Sequence, residues 1–395
     1  SDRGIGVYIT SNKWMKAAYG KKLRAFLRGN VQPLSLIDVG PGLFEAATVD
    51  TNILFFNNGA SGCPFQGCRL DRIPDSGLFE YVHRNGVEIS VNDVGDKWEI
   101  ASPEDQRLAR KMETIGVSLK NWNIKINFGI KTGYNEAFII DGQKRAELIQ
   151  SDPKSAEIIK PIFRGRDIQK YHAMFADQWL IFIPWHFPLN DDSSIQGASD
   201  LAEKAFNESY PDLYQYFISF KFDLMNRNTA ETGVRYEWYS LQRCAATYEA
   251  DFLKEKIIWK RIGSSVRFCY DDSGAYCLDS TCFATGEKMK FLVGVLNSSV
   301  ASYELFRSSP KTGTGDLILS VQALEPLRVP IPDDHQERAV TQRVDSILNL
   351  IQSKDYLGNP DKQLKVREYE KQIDRVVYEL YELTEDEIGV IEDCI

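Results

Sequence analysis

The sequence has few of the residues that build metal sites, and it has no long apolar run. Its 395 residues include seven cysteines and four histidines. The cysteines lack the paired close spacing of a zinc site, and the histidines do not cluster with them. We therefore expect no metal site and reduced thiols in a cytoplasmic protein, with a structural metal as the lesser alternative. No apolar stretch reaches the roughly eighteen residues that a transmembrane helix requires, and no signal peptide is recognisable.

Basic residues are outnumbered by acidic ones, 47 to 56, which leaves a formal net charge of -9. This balance argues against a protein that coats a polyanion with its whole surface. It does not exclude DNA binding, because affinity depends on local basic surface rather than on the total charge. If DNA is the partner, the acidic residues must lie elsewhere, and binding must weaken as the salt concentration rises.

The length and the pattern along the chain predict several domains of mixed class. Strand and helix signals alternate at the start, which favours a parallel α/β layer. A less regular, turn-rich connector follows, then a mixed α+β region, then two helices with apolar stripes. The predicted segments are 1–60, 61–123, 124–335 and 336–395. Because the chain starts inside a strand-like run without a methionine, we expect it to be a fragment of a longer protein.

A Gly-x-Gly sequence near the start imitates a cofactor loop. A strand-like run ends in Asp38 and is followed by Gly40-Pro41-Gly42. In a nucleotide-binding unit a helix would come next, with an acid about 20 residues further on. Here a β-branched run follows almost at once, and the nearby Asp50 is too close. We interpret the glycines as turn residues and expect no cofactor site in this chain.

Eight sequence islands between residues 124 and 333 resemble the TaqI-like C-terminal specificity domain of single-chain (type IIG) restriction–modification enzymes. They occur in the order of that family: "GIKTGYNEAFII", "DPKSAEIIKPIFRGRDIQKY", "WLIF", "YPDLYQY", "KIIWKRIG", "LDSTCF", "LVGVLNSS" and "VPIP". The start of the chain, with "YITSNKWM" and "ATVDTNIL", is similar to the closing half of the adenine-specific methyltransferase domain that precedes it in those proteins. The implied fold is a partial Rossmann-like methyltransferase sheet, an α+β target-recognition domain and a C-terminal helical pair.

The resemblance implies an activity for the parent protein rather than for this chain. The parent would transfer a methyl group from S-adenosylmethionine to the exocyclic amine of adenine. In this family the nuclease, when one is present, depends on Mg and lies at the N-terminus. The Asn-Pro-Pro-Tyr motif that holds the extruded base in such enzymes is absent from this sequence. The family's late motifs place an aromatic at the wall of the target-base pocket, and Phe44 matches it. A plain core or loop aromatic is the alternative for Phe44.

In the family, the specificity domain reads double-stranded DNA, which requires Arg or Lys for guanine, Asn or Gln for adenine, and cations for phosphates. Four stretches supply such groups. The candidate DNA contacts are Lys131, Thr132, Tyr134, Asn135, Arg164, Arg166, Gln169, Lys170, Lys260, Arg261, Arg267 and Lys311.

Arg166, Gly133 and the aromatic run near Tyr210 each have a purely structural interpretation as an alternative to DNA binding. Arg166 could form an ion pair with Asp167 instead of contacting DNA. Gly133 is typical of a turn that needs a positive φ. The aromatic run around Tyr210 and Phe217 could be a stacking platform, but helical spacing is more typical of a core.

Three other functions stay open at this point. The chain could belong to a phage-exclusion (BREX-type) adenine methyltransferase, which shares the specificity domain. It could be a non-catalytic DNA-specificity subunit, although only one recognition domain is visible. It could also be a small complete methyltransferase, which the missing acceptor motif disfavours. In every case we expect contacts with DNA, and for the type IIG and BREX-type readings also contacts with the missing N-terminal part of the same protein.

Overall fold

The structure, a computed structural model, describes residues 4–15, 17–39, 51–59, 62–70, 77–90, 98, 100 and 103–394. The strands in these residues are β1 Ile5–Ser11, β2 Val31–Val39, β3 Thr51–Asn58, β4 Phe65–Leu70, β5 Val87–Ile89, β6 Val117–Ser118, β7 Ile124–Phe128, β8 Ile139–Asp141, β9 Ile159–Phe163, β10 Gln178–Ile181, β11 Lys256–Lys260, β12 Ile262–Gly263, β13 Phe268–Asp271, β14 Tyr276–Cys277, β15 Thr281–Gly286, β16 Leu317–Ile318 and β17 Arg328–Val329. The α-helices are α1 Lys21–Asn30, α2 Leu78–Asn85, α3 Pro103–Ile115, α4 Asn135–Phe138, α5 Gly142–Ser151, α6 Asp200–Ser209, α7 Pro211–Ile218, α8 Lys221–Asn226, α9 Met289–Leu296, α10 Ser299–Ser308, α11 Val321–Leu324, α12 Asp334–Ile351, α13 Pro360–Leu380 and α14 Glu385–Asp393.

The chain forms two compact units. The first unit comprises the described parts of Ser1–Ile115 together with Lys311–Asp316 and Leu383–Cys394. The second comprises Gly116–Pro310 and Leu317–Glu382. The predicted mixed α/β and α+β class is confirmed, because both units combine sheets with helices.

The first unit contains a five-stranded sheet in the order β1-β3-β2-β4-β5. β1 and β2 run in the same direction, as their strand–helix–strand pattern predicts, but β3 lies between them and is antiparallel to both. The purely parallel layer expected from the sequence is therefore wrong. The reason is that only eleven residues separate the end of β2 at Val39 from the start of β3 at Thr51. A crossover to a parallel neighbour needs a dozen or more residues, so β3 returns antiparallel along the strand just completed.

Two strands of this sheet come from the segment expected to be a connector. β4 pairs with β2 in parallel, and β5 pairs with β4 antiparallel. The strand signal is weak in the sequence because β4, "FQGCRL", is short, and the consecutive Gln66 and Gly67 break the alternation expected of a strand. Both faces of the sheet are covered: Leu36 and Leu54 pack on one side, and Ile37 packs with Ile53 on the other.

The second unit holds two four-stranded sheets around one large apolar core. Their orders are β14-β9-β10-β8 and β13-β11-β15-β7. Within each sheet the strands pair antiparallel, except that β14 and β9 are parallel. Aromatic and branched side chains from both sheets and from α6 and α7 are fully buried between them. This arrangement fixes the strand ends from which the candidate DNA contacts project.

The predicted C-terminal helical pair is confirmed. α12 buries Val340, Val344, Ile347 and Leu348, and α13 buries residues of its own apolar stripe against it. The predicted capping box is also present: Thr384 Oγ1 accepts from Glu387 N, and Glu387 Oε2 accepts from Thr384 N at 2.9 Å. Both features follow from local sequence patterns.

The close approach of α9 to α12 yields a stability prediction at Gly294. A Cβ at this position would lie 2.5 Å from Val340 Cγ1 and 3.1 Å from Val344 Cγ2. We expect Gly294→Ala to reduce the free energy of unfolding by about 1–3 kcal/mol, because overpacking outweighs the usual benefit of alanine in a helix. The matched control is Gly358→Ala, whose added Cβ meets nothing within 4 Å. Chemical denaturation of both variants measures the difference, and equal stabilities would contradict the prediction.

Candidate nucleic-acid interface

The turn of residues 278–280 joins the first of the predicted DNA-contact stretches to the body of the second unit. Asp279 N donates to Ile130 O at 2.8 Å, and Lys131 follows directly. On the other side of Ile130, the backbones are so close that a Cβ on Gly129 would lie 2.1 Å from Leu278 O. The loop of residues 131–135 therefore starts against this turn.

The same turn holds two further basic stretches. Gly165 N donates to Ser280 Oγ at 3.0 Å, and Arg261 N donates to Ser280 O at 2.9 Å. A Cβ on Gly165 would lie 3.1 Å from Lys260 Cγ, so the backbone next to Arg166 lies directly on the stem of Lys260. Three stretches that are up to about 130 residues apart in sequence thus meet at one turn.

Four cations on these stretches have no ion-pair partner among the described residues. They are Lys131, Arg166, Lys260 and Arg261. Arg166 and Lys260 are exposed, while Lys131 and Arg261 are half-buried. Unpaired positive charges held on neighbouring backbone segments form a local basic surface, and such a surface attracts phosphates even when the protein is acidic overall.

Arg164, in contrast, is already neutralised. Its Nε and Nη2 donate to the two carboxylate oxygens of Asp167, each at 2.9 Å, and its Nη1 donates to Gln178 Oε1 at 3.1 Å. The ion pair considered for Arg166 and Asp167 is therefore formed by Arg164. The 3-10 turn Gly165–Asp167 brings Arg164 and Asp167 together, and the exposed Arg166 makes no ion pair with the carboxylate.

Three other candidates have partners within the chain. Lys170 Nζ lies 2.8 Å from Glu370 Oε1 on α13, and Arg267 Nη1 donates to Gln169 Oε1 at 3.0 Å. Lys170 is therefore a weaker candidate for a DNA contact than Arg166, since Glu370 would have to be displaced or shared. The Arg267–Gln169 pair is exposed and joins two of the predicted stretches.

The side chains of the 131–135 loop differ in their exposure to solvent. Thr132 is buried, with 3% of its surface exposed, and its hydroxyl donates to Asn135 Oδ1 at 2.6 Å. Tyr134 is half-buried, and its hydroxyl lies 3.4 Å from Asp223 Oδ2 on α8. Asn135 is exposed. Thr132 therefore supports the loop, while Lys131 and Asn135 remain accessible.

Two candidates lie outside the described part of the second unit. Phe44 and the Gly-x-Gly sequence lie outside the described residues, although Asp38 just before them accepts a hydrogen bond from Asn12 Nδ2 at 2.8 Å. Lys311 is exposed and lies in the segment Lys311–Asp316, which belongs to the first compact unit. Its role in DNA binding stays a prediction.

The aromatic run on α7 is part of the core rather than an open stacking platform. Phe217 is fully buried, and Tyr210 is 9% exposed. Tyr214 donates to Glu203 Oε1 at 2.8 Å, and burial raises the pKa of its hydroxyl to about 12. The helical spacing of these rings thus serves packing against Phe206.

No role was predicted from the sequence for the residues that hold the candidate interface together. Asp279 and Ser280 lie in a short turn within the island "LDSTCF", which carries no cation, and Arg227 is a single arginine after α8. The glycines at 129 and 165 were the available signal, because a glycine without a turn motif can mark close backbone approach. Nothing in the spacing shows which backbone approaches.

The described residues show no metal-type cluster, and two of their buried cysteines are kept as thiols. No group of three or more His, Cys, Asp or Glu side chains is placed to hold a metal ion among them. Burial raises the pKa of Cys277 and of Cys282 to about 12, which keeps both thiols protonated. Within the same residues no helix is long and apolar enough to cross a membrane.

Comparison with known proteins identifies the segment around this turn. Residues 160–327 match the TaqI-like C-terminal specificity domain. The match includes Arg166, Lys260, Arg261 and the 278–280 turn, whereas the 131–135 loop precedes it. The resemblance predicted from the sequence islands is confirmed.

Two relatives extend the comparison to the whole chain. The chain is 22% identical over 423 residues to the type II methyltransferase M.BstVI of Geobacillus stearothermophilus, which covers all of this chain and 67% of that protein. Its fold is similar to that of the type IIL restriction-modification enzyme MmeI, whose structure was determined in complex with DNA. The TM-score is 0.59 at 12% identity, over 98% of this chain and 48% of MmeI. The chain thus spans about two thirds of the curated relative and about half of MmeI.

Proposed function

We propose that this chain reads a specific sequence in double-stranded DNA, as the specificity part of a type IIG restriction–modification enzyme. The observation that carries the proposal is the meeting of three basic stretches at the 278–280 turn, with four cations that have no partner in the described residues. This turn lies inside the segment that matches the specificity domain.

The four cations and the 131–135 loop would have different tasks. Arg166, Lys260 and Arg261 are suited to phosphates, which fix the register and orientation of the duplex but carry no sequence information. Lys131 and Asn135, at the two ends of a supported loop, are suited to base edges in the major groove, where Asn reads adenine and Lys reads guanine. Arg267 with Gln169 could add to either set.

The parent protein would methylate the DNA that this chain reads. We propose methyl transfer from S-adenosylmethionine to the exocyclic amine of adenine in the cytoplasm, where the DNA substrate lies, with Mg for any attached nuclease. The similarity to a type II methyltransferase supports this reading over a non-catalytic specificity subunit. The residues present cannot complete the methyl transfer by themselves, because the sequence lacks the Asn-Pro-Pro-Tyr motif that holds the extruded base.

We further propose that the remainder of the parent protein packs on β1. This strand pairs with β3 on one edge and with no other described strand. Its apolar side chains are unusually open to solvent, with Ile5 66%, Tyr8 63% and Ile9 58% exposed. An exposed apolar edge strand tends to associate with other protein surfaces, and folded proteins normally cover it.

Calorimetry can test whether this chain alone binds the cofactor. We expect no binding of S-adenosylmethionine and no methylation of DNA, because the acceptor motif and the cofactor loop would lie on the rest of the parent. A well-folded preparation, shown by its circular dichroism, is the control. Saturable cofactor binding by the chain alone would contradict the proposal.

The activity of the parent can be tested in cells. Methylome sequencing of a host that expresses the full-length gene should show modified adenine within one recurrent sequence motif. The same host carrying the gene with Lys260→Ala and Arg166→Ala should show fewer modified sites. A host without any modified adenine motif would contradict the proposed methyltransferase activity.

A further inference from the structure

Arg227 lies directly after α8, and its guanidinium joins the 131–135 loop to a separate segment of the chain. Nη1 donates to Thr132 O at 2.6 Å. Nη2 donates to Trp238 O at 3.3 Å and also to Ser240 O. One side chain therefore holds three backbone carbonyls, one in the loop and two in the segment of residues 238–240.

The conformation of the loop depends on this side chain. Gly133 has a φ of 81°, in the left-handed region that favours glycine. A Cβ on Gly133 would lie 2.9 Å from Arg227 Cδ and 3.0 Å from Gln242 Oε1, so the turn closes directly against both side chains. The backbone bridge between Lys131 and Arg243 continues the same contact.

Burial of the Arg227 guanidinium disfavours folding, which suggests that this side chain has a specific function. It is partly buried between the rings of Phe138 and Tyr236, each 5.5 Å from its Cζ, and burial lowers its pKa to about 10. No carboxylate pairs with it among the described residues. A partly buried cation without a carboxylate counter-ion is unfavourable. What a neutral side chain lacks is a rigid fork of donors that reaches several carbonyls at once.

We propose that Arg227 is the positioning residue of the 131–135 loop and thereby determines how well that loop discriminates between DNA sequences. The inference rests on the proposed function and assigns a task to a residue that makes no DNA contact of its own. By holding Thr132 O, Arg227 holds the residue whose hydroxyl binds Asn135 Oδ1 at 2.6 Å. Asn135 Nδ2 has no partner in the described residues, so the oriented amide presents its donors outward, as base reading requires.

The test is the ratio of two affinities of the full chain. One is for the duplex that the wild-type chain enriches from a random-sequence pool, and the other is for poly(dI-dC). We expect Arg227→Lys to lower this ratio by about tenfold or more, which is the loss of one good base contact. Binding to poly(dI-dC) should stay within about twofold, because the charge of residue 227 and the four unpaired cations are kept.

A second variant and a matched control make the result specific. Gly133→Ala keeps Arg227 but displaces it from the loop, and it should lower the ratio in the same way. Arg343→Lys removes an equally structural guanidinium on α12, which donates to Ala339 O at 2.7 Å and to Gln372 Oε1 at 3.1 Å. It should lower the melting temperature and leave the ratio unchanged.

The outcomes separate this inference from the proposed function. A wild-type chain that binds no DNA, or enriches no sequence, overturns both. A wild-type chain that discriminates, together with an unchanged ratio in folded Arg227→Lys and Gly133→Ala, overturns only the positioning role. If both variants are unfolded at the assay temperature, Arg227 is required for the stability of the fold, and this result also overturns the positioning role.

Discussion

Asp271→Ala is expected to lower the free energy of unfolding by about 3–5 kcal/mol, because it leaves a buried ammonium without its counter-ion. Lys256 is fully buried at the start of β11, with Nζ 2.6 Å from Asp271 Oδ2. The ammonium also donates to Phe252 O at 2.7 Å, which cannot replace a carboxylate. The pair joins β11 to β13 at one end of the sheet that carries Lys260 at the other.

Two comparisons show whether the loss arises from the unpaired charge. Lys256→Met combined with Asp271→Leu removes both charges and should recover most of the stability, since a well-packed apolar pair often equals a buried ion pair. Lys290→Met breaks the pair of Lys290 with Asp345, whose side chains are 35% and 43% exposed, and should cost less than about 1 kcal/mol. Urea denaturation followed by tryptophan fluorescence measures all three. A loss below about 1 kcal/mol for Asp271→Ala would contradict the buried-charge argument.

Arg166→Ala and Lys260→Ala are each expected to reduce the salt dependence of DNA binding. If each cation neutralises one phosphate, the slope of log K against log salt becomes shallower by about 0.9 per substitution, and affinity falls for all sequences alike. Both side chains are exposed and have no ion-pair partner in the described residues, so their removal should leave the melting temperature unchanged.

Arg164→Ala is the matched control for these two variants. Its guanidinium is already neutralised by Asp167 and is only 16% exposed, so the salt slope should hardly change while the melting temperature falls. The opposite pattern, with an unchanged slope and a lower melting temperature for Arg166→Ala or Lys260→Ala, would make these cations structural. Titration of binding between low and moderate salt, beside a thermal melt, separates the two.

Elements whose signal is local were predictable from the sequence. The stripe of Val340, Val344 and Ile347 recurs at helical spacing, and the structure buries these residues on one face of α12. Thr384 and Glu387 lie three residues apart and form the capping box that this spacing predicts. In both cases the interacting residues are within a few positions of one another, so their spacing in the sequence is enough to predict the contact.

The site was predictable as a set of stretches but not as a surface. The islands identified the basic segments, yet no local rule distinguishes Arg164, which pairs with Asp167, from Arg166, which does not. The choice depends on a short 3-10 turn that Ser280, 115 residues away, holds at Gly165. Likewise, a lone Arg227 gives no sign that it reaches Thr132, which lies 95 residues earlier.

By itself, the sequence of this protein determined its class, its helical end, its family resemblance and the stretches that carry positive charge. Only the tertiary structure decided that β3 lies between β1 and β2, that three distant stretches meet at residues 278–280, and which cations remain unpaired there. The physical reason is the range of the interactions. Periodicity and capping act between neighbours in the chain, whereas the partner of a buried carbonyl or a cation is selected by packing among segments that are about a hundred residues apart.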